Sequence, residues 1–317
     1  MGQHDFLSLY IVAYNIELGR IIVKKILLLG ATGFIGKNLK EYFDNLGCYS
    51  ISAPTRENLD LLNEDMVTEY LKKNNFDIII NAAIYNPLRH QENTNHNELE
   101  KDLRAYYILE KLQHTYGKMY YLGSGAEYNK DRNIGSVSEN EFLNGIPTTE
   151  YGFAKYIIGR DIEKSCNIYN LRIFGLFGKY ENWRKTFISG ACCKALKNVP
   201  ITIRQNVIFD YLYIDDFCRI IEWFIEHEPK YHTYNVTSGK KFDLVQLANL
   251  VNEVVGTQVP IYVCKKGMGN EYTASNKRIQ KEIEGFQVMD MKESIAELCS
   301  YYKERIDEID LYSLLYQ

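Results

Sequence analysis

Short apolar runs alternate with longer amphipathic stretches along most of the chain, and the alternation predicts strands and helices in turn. Ile26 to Leu29 is a continuous apolar run too short for a helix, as expected of a parallel strand buried on both faces. The apolar spacing then predicts a helix from about Ile35 to Leu46 and a second strand from Tyr49 to Ala53, ending at Pro54-Thr55-Arg56. Asp60-Leu61-Leu62 reads as a short strand edge and residues 64 to 74 as a helix. Phe76 to Ala83 reads as the next strand, Glu98 to Tyr116 as a helix, Lys118 to Leu122 as a strand, Tyr151 to Lys164 as a helix and Tyr169 to Phe174 as a strand. This order predicts a parallel sheet with helices on both faces, a doubly wound α/β fold of Rossmann type whose ligands bind at the carboxyl ends of its strands.

The pattern changes after Gly178. Residues 182 to 197 read as helical, Ile201 to Ile203 as extended, and Phe209 to Ile214 as a strand before a helix opened by Asp215-Asp216, two acids suited to the helix dipole. Tyr234 to Gly239 leads into a helix near Phe242 to Val255, with shorter helices near 276 to 284 and 291 to 304. These elements predict a smaller C-terminal α/β domain forming the wall of a substrate cleft. The expected division is an N-terminal extension of unknown role (1–23), a dinucleotide-binding domain (24–178 with 207–236) and a substrate-binding domain (179–206 with 237–317).

Composition narrows the partners. A chain of 317 residues has room for two domains, and a net charge of −4 from 37 basic and 41 acidic residues, with no basic run, argues against nucleic acid. The seven cysteines form no CxxC pair and no zinc-ligand spacing, so no metal is expected and the thiols should be reduced, as in the cytoplasm. Residues 6–23 are apolar, but Glu17 and Arg20 interrupt them and no cleavage pattern follows. No later stretch reaches the length of a membrane helix, so neither a leader nor a membrane partner is expected. A small molecule is the expected partner.

The first strand ends in Gly30-Ala-Thr-Gly33-Phe-Ile-Gly36 and feeds a helix, which leaves unpaired N–H groups aimed at one spot, where a pyrophosphate gains hydrogen bonds and the helix dipole. At the end of the second strand a carboxylate would suit a ribose 2′-hydroxyl and an arginine a 2′-phosphate. Residues 48–55 hold no acid and Arg56 follows, which favours NADPH over NAD. Tyr151-Gly-Phe-Ala-Lys155 sets a phenol and an ammonium on one helix face; the spacing recurs at Tyr107/Lys111 and Tyr262/Lys266, but only Tyr151 has a hydroxyl residue, Ser124, 27 residues upstream at a strand end. Moving a hydride onto a carbonyl requires a proton for the oxygen. A cation beside a tyrosine favours the phenolate and brings its pKa of about 10 toward working range. Lys155 would supply that cation, and Ser124 would hold the substrate oxygen.

From Lys25 onward the sequence resembles the extended short-chain dehydrogenase/reductases that act on nucleotide sugars. The resemblance rests on the glycine turn, Asn81-Ala-Ala83, Leu122-Gly-Ser124-Gly-Ala-Glu-Tyr128, Tyr151-Gly-Phe-Ala-Lys155, Leu171-Arg-Ile-Phe-Gly-Leu-Phe-Gly178 and Phe209-Asp-Tyr-Leu-Tyr-Ile-Asp-Asp216. It implies a Rossmann domain with a small substrate domain, a homodimer, and Ser124, Tyr151 and Lys155 as the catalytic set. Cofactor contacts are then expected from Gly30, Thr32, Gly33, Phe34, Ile35, Gly36, Arg56, Asp60, Leu61, Ala82, Ala83, Leu122, Tyr151, Lys155 and Phe174. Substrate contacts are expected from Ser124, Gly125, Ala126, Gly175 and Arg204.

Departures from the family pattern narrow the chemistry further. Gly125-Ala126 stand where dehydratases of the family carry an Asp-Glu pair, and the cysteine and histidine that GDP-fucose synthase uses for epimerisation are missing near Ala126 and Tyr180. Phe209 replaces the usual pyrophosphate-contacting arginine, with Arg204 the nearest substitute, and Gly175 replaces the usual asparagine. The expected activity is NADPH-dependent reduction of a keto-sugar, such as a nucleotide-linked 4-keto-6-deoxy sugar for surface polysaccharide. The alternatives are an NAD-dependent sugar 4-epimerase and a non-catalytic redox sensor that binds the dinucleotide.

Overall fold

The structure, a computed structural model, describes residues 23–85 and 97–315, so residues 1–22 of the apolar extension lie outside the described residues. The chain divides into two compact units, one within residues 1–121 and 166–169 and the other within 122–165 and 170–317.

In the first unit β1 (Lys25–Leu29) pairs in parallel with β2 (Ser50–Ser52) on one side and with β3 (Ile78–Asn81) on the other. Residues Ile78–Asn81 pair in parallel with Lys118–Tyr121 of β4 (Lys118–Ser124). Ile26, Leu27 and Leu28 are fully buried, which is why the strand is apolar at every position instead of at alternate ones. The connections run through α1 (Phe34–Leu46), α2 (Glu64–Asn74) and α3 (Glu98–Lys111). Asn63 caps α2 by accepting from the Met66 N–H, Glu64 and Asp65 lie in its first turn and Lys72 and Lys73 in its last, so cap and charges both complement the helix dipole. Because β1 lies between β2 and β3, the strand order reverses there, the point at which such sheets open a crevice.

The second unit holds β5 (Ile134–Val137), α4 (Glu150–Ile162), the greater part of β6 (Ile168–Ile173), β7 (Gly175–Phe177) and α5 (Phe187–Leu196). It continues with β8 (Ile201–Asn206), β9 (Ile208–Phe209), β10 (Tyr211–Tyr213), α6 (Ile214–Glu226) and β11 (Thr233–Val236). Its last elements are β12 (Phe242–Asp243), α7 (Leu244–Val255), β13 (Ile261–Met268), β14 (Tyr272–Ala274), α8 (Lys277–Glu282), α9 (Met291–Glu304) and α10 (Leu311–Leu315). The large sheet hydrogen-bonds in the order β11-β6-β4-β3-β1-β2, with β6 and β11 parallel. Smaller sheets follow the orders β12-β9-β14-β5, β10-β7 and β13-β8.

Several elements differ from the sequence pattern. Asp60-Leu61-Leu62 is a turn, because the Asp60 carboxylate accepts from the Leu62 N–H at 3.1 Å and closes the backbone on itself, while Leu59 and Leu61 are buried without joining the sheet. The apolar run from Phe209 splits at the buried Asp210, and Ile214 already belongs to the helix. Strand β4 runs two residues past the expected end at Leu122, so that Ser124 is its last residue. Strands β5, β13 and β14 have no counterpart in the apolar pattern; β13 is exposed along most of its length, so burial does not mark its positions.

Candidate active site

The glycine turn of the first unit is built as a cradle. Gly30 sits at φ +77, a conformation that side chains resist, and a Cβ there would lie 2.7 Å from the Ala82 and Ala83 backbone. At Gly36 a Cβ would come within 2.2 Å of the Gly30 carbonyl oxygen, so turn and helix close only around glycine. Gly33 is the N-cap of α1 and brings no side-chain cap, and no acid occupies the first turn, so the helix start keeps its positive end for an anion. Thr32 and Gly33 are exposed, while Phe34 and Ile35 are half-buried. Ala82 and Ala83 are drawn against Gly30 by the Ala82 N–H, which donates to the Leu29 carbonyl at 3.1 Å, and by the Asn81 side chain, which accepts from the Ala83 N–H at 3.2 Å. These features fit a dinucleotide diphosphate, and they bring together six of the expected turn contacts with the two alanines.

Arg56 lies in the turn beyond β2 with 66% of its side chain exposed; its Nε is 3.9 Å from Asp60 Oδ1. Its guanidinium stands 5.0 Å over the Tyr85 ring, and the Tyr85 hydroxyl donates to the same Asp60 oxygen at 3.4 Å. Burial, then the Asp60 charge, pushes the Tyr85 phenol up to about 12. The structure therefore brings Arg56 and Asp60 together at an accessible place in the first unit, while Leu61 is buried.

The second unit positions the proposed proton donor. Thr149 caps α4, its hydroxyl accepting from the Gly152 N–H at 3.1 Å, which sets Tyr151 in the first turn and Lys155 one turn further on. Lys155 is 1% exposed, its Nζ donates to the Leu122 carbonyl oxygen at 3.0 Å and stands 5.9 Å from the centre of the Tyr151 ring. That burial separates this pair from the other two of equal spacing. Tyr107 and Lys111 lie on α3, where Tyr107 is exposed and Lys111 pairs with Glu64 at 2.5 Å; Tyr262 and Lys266 lie on the exposed β13.

Ser124 closes β4 and accepts from the Ala126 N–H at 3.1 Å, holding the short helical turn Gly125–Glu127. Behind it the fully buried Glu127 accepts from the Ser124 N–H at 3.0 Å, from Asn170 at 2.9 Å and from the fully buried Arg172 at 2.6 Å. Gly125 and Ala126 are buried, and the Gly125 position abuts the rings of Phe174 and Tyr272. A Cβ on Gly125 would lie 2.3 Å from the Tyr272 hydroxyl. Gly175 pairs with Tyr211 across β7 and β10, and Arg204 is exposed on β8, in the β13-β8 sheet. Sequence pattern had marked neither Glu127 nor Tyr272. An acid inside the apolar run Ala126-Glu127-Tyr128 is a signal that could have found the first; three-residue β14 offers none for the second.

A family model described as NAD dependent epimerase/dehydratase family matches residues 26–237. The chain belongs to that family. Within this epimerase/dehydratase family, ADP-L-glycero-D-manno-heptose-6-epimerase of Brachyspira hyodysenteriae is 24% identical over 264 residues, 72% of this chain and 80% of that protein. GDP-L-colitose synthase of Yersinia pseudotuberculosis is 23% identical over 307 residues, 88% of this chain and 97% of that protein. The crystal structure of a GDP-L-fucose synthetase from Naegleria fowleri bound to NADP superposes with a TM-score of 0.75 at 17% identity, covering 90% of this chain and 95% of that one. At that identity the likeness is one of fold, and the fold is the doubly wound parallel sheet described above.

Proposed function

We propose that this chain is an NADPH-dependent reductase of a keto-sugar carried on a nucleotide, a 4-keto-6-deoxy sugar being the first candidate and surface polysaccharide synthesis the setting. The observation that carries this reading is the buried Lys155 ammonium, held on the Leu122 carbonyl within reach of the Tyr151 ring. A charge taken out of water at such cost calls for a function. The glycine turn would hold the cofactor diphosphate, and Arg56 its 2′-phosphate. When bound, the reduced nicotinamide supplies the hydride that the ketone carbon accepts. Negative charge then grows on the ketone oxygen, Ser124 donates a hydrogen bond to it, and Tyr151 transfers its proton to complete the alcohol. Lys155 stabilises the phenolate that remains on Tyr151. Gly125-Ala126 offer no acid or base to remove water or to epimerise a neighbouring carbon, which supports a chemistry that ends at reduction.

The similarity to GDP-L-colitose synthase makes GDP-linked keto-sugars the first substrates to test. The decisive assay follows absorbance at 340 nm while GDP-linked and other nucleotide-linked keto-sugars are offered with NADPH. Reduction of one member of the panel by the wild type, lost in Tyr151→Phe, supports the reading; a panel with no NADPH consumption contradicts it. The match to a heptose 6-epimerase favours a second reading, oxidation and re-reduction of one carbon by a retained cofactor. That activity would isomerise the sugar with no net loss of NADPH.

A further inference from the structure

The loop between the helical turn Gly125–Glu127 and β5 is tied down by side-chain bonds on both flanks. The Asn270 amide donates to the Lys130 carbonyl at 3.3 Å, Asn133 accepts from the Glu271 N–H at 2.9 Å, and the Thr148 hydroxyl donates to Asp131 at 2.6 Å. Lys130 as a whole is exposed, but its ammonium is turned onto the Tyr272 ring, 4.5 Å from the ring centre. That ring packs 5.0 Å from Phe174 and 5.6 Å from Phe209. Its hydroxyl lies 2.3 Å from where a Cβ on Gly125 would stand, next in the chain to Ser124. The ammonium is therefore held on a ring that walls the candidate active site in the second unit.

Among the described residues no carboxylate pairs with this charge. Asp131, its neighbour in the chain, accepts from Thr148, and Glu271 pairs with Lys241 at 2.5 Å. Burial lowers the Lys130 pKa, and no acid offsets the shift. A cation over a phenol ring recovers only part of what it loses by leaving water. Phe209 brings no charge to the same ring, and Arg204, the cation expected for the substrate, lies on β8 in a different sheet. We propose that Lys130 is a specificity-determining residue whose ammonium holds the diphosphate of a nucleotide-linked substrate. A diphosphate brings the negative charge and the acceptor oxygens that the ammonium lacks, and the aromatic wall beside it strengthens the pairing by keeping water away. The inference deepens the reductase reading of this site and rests on it for the class of substrate.

Lys130→Met keeps the apolar stem and deletes the charge. Calorimetric titration of GDP, UDP, ADP and dTDP into the full chain, saturated with NADPH so that the cofactor site is filled, reads the contact without turnover. At least one of these nucleotides should bind the wild type and bind Lys130→Met roughly ten- to hundred-fold more weakly, with NADPH affinity and the thermal midpoint unchanged. Lys130→Arg, which restores the charge, should recover most of that loss. Equal affinity in the wild type and Lys130→Met would overturn the proposal, as would a wild type that binds none of the nucleotides or a variant whose NADPH affinity falls as far. In the keto-sugar assay the same substitution should raise KM for the sugar nucleotide and leave kcat nearly unchanged, because the contact is made equally before and during the reaction. A fall in kcat at constant KM would put the ammonium at the chemistry and overturn the assignment. If the nucleotides bind as stated while no keto-sugar is reduced, the reductase reading fails and the assignment of Lys130 stands.

Discussion

Replacing Glu127 by glutamine keeps the side-chain shape and removes one charge from a place with no water to compensate it. Glu127 and Arg172 are both fully buried, 2.6 Å apart, and the same carboxylate accepts from Ser124 and Asn170. The next acid, Glu163, is 4.0 Å from the guanidinium and half-exposed, so it replaces only part of the lost field, while the Phe142 ring, 3.9 Å away, adds a weak cation–π contact. Removing one partner of such a pair costs roughly 3–5 kcal/mol, because the other is left as an uncompensated buried charge. For a unit of this size that is a fall in midpoint of about 10 °C. Differential scanning calorimetry and urea unfolding would measure it. Adding Arg172→Met should recover part of the loss, since the stranded charge is then gone. A loss below about 1 kcal/mol for Glu127→Gln, or a double variant weaker than either single one, would refute the reasoning.

Tyr151→Phe should lower kcat by about 10²- to 10⁴-fold and leave NADPH affinity, read by fluorescence titration, nearly unchanged, because only the proton donor is lost. Lys155→Ala should harm both turnover and cofactor affinity. Arg56→Ala should erase a preference for NADPH over NADH of roughly ten- to hundred-fold and barely alter NADH binding, in paired titrations of both cofactors. Gly36→Ala, whose added Cβ would meet the Gly30 carbonyl at 2.2 Å, should cost about 1–3 kcal/mol in urea unfolding and weaken dinucleotide binding in calorimetric titration.

Much of the first unit can be read locally. The strand from Ile26, the glycines after it and the helix that follows are neighbours in the chain, and so are the cap and charges that bound Glu64–Asn74. Tyr151 and Lys155 also stand one helical turn apart, although only the fold reveals that Lys155 is buried while Lys111 and Lys266 are not. The rest depends on contacts distant in sequence. Glu127 meets Arg172 and Gly125 meets Tyr272 only after the second unit assembles, and a three-residue strand such as Tyr272–Ala274 is too short to carry a period. Leu59 and Leu61 alternate with polar residues as a strand would, but the Asp60 side chain can cap its own turn, and that local bond prevails.

The most direct test of the central claim is a stoichiometry. With a nucleotide-linked keto-sugar that the wild type accepts, NADPH oxidised at 340 nm and alcohol formed by chromatography should rise together, one for one, until the ketone is spent. Product formed while NADPH stays constant would contradict the reductase and show a sugar isomerised by a cofactor that is never released.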